Sequence, residues 1–214
     1  METFHITHHR TILDLSKKQY IDHQYIHSLN TADQALQLAK KKSYSKGIIR
    51  ANIFIAKALE ETGIYKNALE YLENAEKENF FVEYTNAQIE TYRLRGRIYL
   101  NLQMNDLALR EFYKQLKFSD QIKDPLQQKR SKLWAHQNIA ETFLRNNRRD
   151  SAWKHLMIQK QILKSFPENN SKGVFYDIST TYTSIGKEYL FRKNTFAARK
   201  YIDSPKLFKS PTQE

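Results

Sequence analysis

The chain contains no cysteine among its 214 residues, which excludes a disulfide framework, a thiolate zinc site and a cysteine nucleophile. Proline (4) and glycine (5) are scarce, and the valines are two, Val82 and Val174. So few turn-formers, with so little of a main strand-former, argue against a sandwich, a barrel or a parallel sheet. No apolar run approaches the roughly 18 residues that a membrane helix needs. The longest near the middle is Ile53-Phe54-Ile55-Ala56. Met1-Glu2-Thr3-Phe4-His5-Ile6 carries an early acid and no apolar stretch, so it does not read as a signal peptide and a cytoplasmic location is expected. At 40% hydrophobic and 13% aromatic residues the chain is nevertheless too apolar to be disordered. A mostly helical protein, all-α in class, is what remains.

Acids are also short, and unevenly so. Residues 1–107 hold 14 Lys+Arg against 13 Asp+Glu, whereas residues 108–214 hold 21 against 10, so nearly all of the +12 net charge lies in the second half. A basic half of this kind suits an acidic partner, a nucleic acid or an anionic lipid surface, although a solvated surface explains it equally simply.

A repeat organises the sequence. Residues 49–80 carry Ala56, Leu59, Gly63, Tyr65, Ala68, Leu72 and Ala75, which fits one helix ending near Gly63 and a second with Ala68, Leu72 and Ala75 on one face. The pattern returns as Tyr92, Gly96, Tyr99, then Ala108 and Phe112. It returns again as Ile139, Ala140, Phe143, then Ala152 and Leu156, and once more as Tyr182, Ile185, Gly186, Tyr189, then Ala198 and Ile202. In each copy the small residue of the second helix falls twelve positions after that of the first. A weaker copy, Ala32-x-x-x-Leu36-x-x-Ala39, precedes them.

In these residues the chain resembles the tetratricopeptide repeat (TPR) family, whose unit sets aromatic, small and aromatic positions on its first helix and a small and a bulky position on its second. The family unit is about 34 residues long. Here Ala32, Ala68, Ala108, Ala152 and Ala198 are 36, 40, 44 and 46 apart, and the closing proline is mostly missing. Enlarged repeats of this kind look like those of bacterial regulators in which a TPR array senses a peptide or precedes a DNA-binding domain. The resemblance implies an α-solenoid of about five antiparallel helical hairpins wound as a right-handed superhelix over residues 1–203. A weak first repeat at 12–42 is followed by repeats at 44–80, 82–123, 125–166 and 172–203.

Local signals set some helix ends. Asp124-Pro125 supplies an N-cap and an N1 proline for a long helix from 125 to about 146, closed by Asn146-Asn147. Pro167 to Asn170 reads as a loop and Lys172 to Lys193 as another long helix. Two Ser-Pro pairs, Ser204-Pro205 and Ser210-Pro211, stop helix formation, so residues 204–214 read as a disordered tail. A solenoid needs a polar terminal cap. Either Leu207 and Phe208 fold back over the last hairpin, or a partner or second copy covers it, or relatives continue further.

Chemistry-bearing patterns are few. Five of the seven histidines lie early, at His5, His8, His9, His23 and His27. On a helix His23 and His27 would share one face as metal-binding pairs do, but Gln24 stands where a zinc hydrolase has an acid and no third ligand is evident, so surface histidines are expected and no metal. There is no Gly-x-Ser-x-Gly elbow, phosphate-cradling loop or Gly-x-Gly-x-x-Gly, so neither catalysis nor a cofactor is expected. The adjacent acids Glu60-Glu61 read as a solvated helix end.

Binding is what the resemblance implies. In TPR arrays first helices line a concave groove that takes extended or helical peptides. With units starting at Ile49, Ile89, Leu133 and Ser179, the groove residues would be Arg50, Lys57, Arg93, Arg97, Trp134, Gln137, Glu141 and Lys187. Arginine forks suit carboxylates, and Trp134 is a flat apolar anchor, so an acidic or carboxylate-bearing peptide fits. The competing reading is that these cations pair with neighbouring glutamates. The family's carboxylate-clamp set is not reproduced. Arg95 occupies a position that is normally apolar, so either it snorkels outward or it pairs with an acid such as Glu70 or Glu73, a structural ion pair being expected over a ligand contact. The alternative working surface is a nucleic-acid patch of Lys129, Arg130, Lys132, Arg145, Arg148 and Arg149 beside Trp134. The sequence thus reads as a non-enzymatic protein- or peptide-binding module of regulatory type, with a homodimer through the last hairpin or a protein partner as its expected company.

Overall fold

A computed structural model describes residues 2–80, 82–166 and 171–203, with side chains over 7–80, 82–166 and 177–203, and the described residues form ten α-helices. They are α1 (Glu2–Ile21), α2 (Tyr25–Lys41), α3 (Ser45–Glu61), α4 (Tyr65–Asn79), α5 (Thr85–Asn101), α6 (Asn105–Ser119), α7 (Pro125–Arg145), α8 (Arg149–Lys164), α9 (Ser171–Phe191) and α10 (Thr195–Asp203). Consecutive helices pack as antiparallel pairs, and the fold is all-α and TPR-like. The expected loop at 167–170 and the tail at 204–214, with Leu207 and Phe208, lie outside the described residues.

One backbone device makes six of the turns. At the end of α1, Gln24 N–H donates to the Gln19 carbonyl (2.8 Å) and His23 N–H to that of Tyr20 (3.1 Å), which is the paired bond of a Schellman cap. The same pair recurs at Ser43/Tyr44, Gly63/Ile64, Gln103/Met104, Asn147/Arg148 and Lys193/Asn194. The first residue of each pair has φ between 50° and 77°. The second gives its carbonyl to the next helix's first bond, as Ile64 does to Ala68 N–H (3.1 Å). Gly63 suits its position, whereas the other five carry a side chain through left-handed backbone at some cost. His23 is one of these turn residues, so it shares no helix face with His27. At α7 the expected cap is formed: the Asp124 carboxylate accepts from Leu126 and Gln127 N–H at 2.8 and 2.9 Å, ahead of Pro125.

Small residues bring paired helices together. Ala56, Ala68, Ala108, Ala140, Ala152 and Ala198 are all buried. A Cβ on Gly96 would come within 2.4 Å of the Phe112 ring, so α5 and α6 can approach only because that hydrogen is there. The chain divides into two compact units, Met1–Gln121 and Ile122–Glu214. The first has a continuous core including Leu13, Leu36, Ile49, Ile55, Leu72, Leu94 and Ile98. The second is built on Leu133, Leu163 and Ile178 and on Ala140, Leu156 and Ile185, walled by Trp153, Tyr182, Tyr189 and Tyr201.

Candidate functional site

In the first unit α3 packs against both α1 and α5, so the first helices of three hairpins share one side. Between α3 and α5 lies a cleft of about 220 Å³ lined by Arg50, Ile53, Phe54, Lys57, Tyr84, Asn86, Ala87 and Glu90. Residues three or four apart on each helix stand together there, which is why Arg50, Phe54 and Lys57 form one wall and Asn86 and Glu90 the other.

A charge ladder continues from the cleft. Glu90 takes Lys57 Nζ at 2.5 Å and a bidentate fork from Arg93, Nε at 2.8 Å and Nη2 at 2.7 Å. Lys57 also lies over the Phe54 ring, 5.1 Å from its centroid. One turn on, Arg97 sets Nε 2.9 Å from Glu60 and Nη2 3.3 Å from Glu61, and Tyr20 of α1 donates to Glu61 at 2.6 Å. Arg93 and Arg97 are therefore committed to glutamates, the competing reading of their spacing. Of the four expected cations in this unit, Lys57, Arg93 and Arg97 each have a carboxylate, whereas Arg50, among the described residues, has none.

Sequence reasoning missed the acids. Glu60 is 3% exposed rather than solvated, and neither of its oxygens accepts a hydrogen bond, so the Arg97 approach is an ion pair without alignment. Burial pushes the Glu60 carboxyl up against the pull of Arg97. Burial works the same way on Glu90, but Arg93 and Lys57 outweigh it and hold that carboxyl well below the usual range. Burial and the bond to Glu61 raise the Tyr20 phenol. The available signal was positional: Glu60, Glu61 and Glu90 lie on α3 and α5, the same first helices that carry the expected cations. Arg95 does form a structural ion pair, but with Glu76 (2.6 Å) and the buried Glu111 (3.5 Å) rather than Glu70 or Glu73. Glu73 instead faces solvent with Lys77.

In the second unit Trp134 is 40% exposed and donates Nε1–H to Asp177 at 3.1 Å. Burial raises the Asp177 carboxyl, opposed by that bond and by Arg130. Gln137 is half-buried, Glu141 is exposed and taken by Arg145 (2.6 Å), and Lys187 is exposed. The basic patch is spread over different tasks. Lys129 donates to the Ser165 carbonyl (2.8 Å), Arg149 pairs with the buried Glu188 (2.5 Å) and Arg148 lies over Phe143 (4.8 Å). Lys132 sits within electrostatic reach of His136.

No protein-family model and no curated protein matches the chain. Solved structures do, at low identity. The apo form of RapI has a TM-score of 0.64 at 13% identity, over 93% of this chain and 82% of that one. A Podosopora anserina putative kinesin light chain with nearly identical TPR-like repeats has a TM-score of 0.64 at 14% identity, over 96% of each chain. YrrB, a TPR protein with an unusual peptide-binding site, has a TM-score of 0.51 at 13% identity, over 94% of this chain and 86% of that one. These likenesses establish a TPR-type helical repeat fold.

Proposed function

We propose that this chain is a non-catalytic protein- or peptide-binding module of regulatory type, and that its ligand presents a carboxylate, from an acidic side chain or a C-terminus, to Arg50. The observation that carries the reading is the α3–α5 cleft, where Arg50, among the described residues, has no ion-paired acid while Phe54, Tyr84 and Ala87 supply apolar wall. Beside it Lys57, Arg93 and Arg97 are matched by Glu90, Glu60 and Glu61, so the positive charge left over in this region is that of Arg50. A guanidinium fork takes a carboxylate bidentately, and the cleft has room for one large side chain of an extended peptide. YrrB, with its peptide-binding site, gives a precedent on the same fold. The peptide reading is preferred to nucleic acid because Arg149 and Arg145 are engaged by Glu188 and Glu141, and Lys129 by a backbone carbonyl.

The test is selection from a random peptide library displayed with free C-termini, against the wild-type chain, Arg50→Glu, and Lys129→Glu with Arg130→Glu. Acidic or free-carboxylate peptides should be enriched by the wild type and by the Lys129/Arg130 variant and lost with Arg50→Glu. Enrichment indifferent to Arg50, or recovery of salt-sensitive nucleic acid from host lysate that depends on Lys129 and Arg130, contradicts the reading.

A further inference from the structure

His136 of α7 and His155 of α8 meet across their hairpin with Nδ1 atoms 2.8 Å apart and ring centroids 5.1 Å apart. His136 is 8% exposed, and the Phe143 ring lies against His155 at 5.7 Å. Two imidazole nitrogens at that separation share one hydrogen. One ring carries it on Nδ1 and donates, while the other presents its Nδ1 lone pair and keeps its own proton on Nε2. A first added proton leaves this bond in place, because it settles on the donor ring's Nε2. A second must occupy the accepting Nδ1, which sets two N–H groups against each other and two cations side by side within the hairpin.

We propose that the His136–His155 pair is an acid-operated latch on the second unit: sharing one Nδ1 proton it holds α7 to α8, and with both Nδ1 atoms protonated it releases that hairpin. Two of the neighbouring charges favour release. Lys132 acts on His136 from one turn earlier on α7, and Arg148, at the turn, lies over the Phe143 ring that His155 touches. On α9, Glu188 is held by Arg149 and Asp177 by Trp134. Burial first, then His155 and Lys132, pull His136 down to about 4, and burial lowers His155 as well. Both rings thus titrate below the ordinary histidine value near 6.5. The unfolded chain takes up protons first, so the latch contributes fully above about 6.5 and is lost as pH falls from there toward 4.

The two tryptophans of the chain, Trp134 and Trp153, lie on α7 and α8 and touch Asp177 and Tyr189 of α9, so tryptophan emission reports the second unit. Urea titrations of the full chain followed by that emission should show the folding constant dropping about 100-fold between pH 6.5 and 4.5, and no such drop in His136→Gln/His155→Gln. An equal drop in wild type and variant overturns the proposal. Should the variant not fold, ¹H–¹⁵N spectra of the wild-type imidazoles at neutral pH decide: one ring as the Nδ1–H tautomer supports the latch, and both as Nε2–H tautomers overturn it.

Discussion

Glu90 stands between Lys57 and Arg93 with 23% of its side chain exposed, and its removal separates two functions of the charge ladder. Glu90→Gln should cost about 1–2 kcal/mol, less than a fully buried pair because water reaches this one. It should also tighten an acidic peptide about fivefold, since two cations lose their internal partner. Urea denaturation reads the first effect and a binding titration the second. The pH dependence has a definite sign. A carboxyl held below its ordinary value contributes in full above about 4.5 and loses that contribution as pH falls further. The ladder was half legible in the sequence. Lys57, Arg93 and Arg97 were found by their place in the repeat, but their acids lie on the same or a neighbouring first helix, and a local reading left Glu60-Glu61 in solvent. Burial that depends on a residue 37 positions away, as for Glu60 and Arg97, has no local signature.

At the scale of the element, the turns and the close approaches were unequally visible. The twelve-residue spacing of small residues predicted which helices pair, because close packing leaves no room for anything larger. Gly96→Ala should therefore destabilise by about 1–3 kcal/mol despite alanine's better helix propensity, as thermal denaturation would show. The six Schellman turns were legible where Gly63 and Asn147 mark them and silent at His23, Ser43, Gln103 and Lys193, where the backbone is left-handed without glycine. Those sites have stability in reserve. Gln103→Gly, exposed at φ 60°, should raise stability by about 0.5–1 kcal/mol, the relief of the strained φ exceeding glycine's greater freedom when unfolded.

Across the whole molecule, two compact units carry different acid sensitivities. In Ile122–Glu214 two buried histidines, His136 and His155, lose their contribution as pH falls from about 6.5 toward 4, whereas Met1–Gln121, among the described residues, has His9 as its one histidine lowered by burial and a depressed Glu90 that holds until about 4.5 and below. Falling pH should therefore change tryptophan emission before most of the helical circular dichroism is lost; a single coincident transition would contradict this order. The fold class followed from what the composition lacks and from the repeat, while the proposed binding surface needed side chains placed in space, where Lys57, Arg93 and Arg97 each have a carboxylate and Arg50, among the described residues, has none. The most direct measurement is a titration of one selected peptide, as free acid and as its neutral amide or Gln/Asn analogue, into wild-type and Arg50→Glu chains. The account predicts that neutralising the peptide and reversing Arg50 each weaken binding at least about tenfold, and that combining them costs little more. Equal affinities across all four pairings would contradict it.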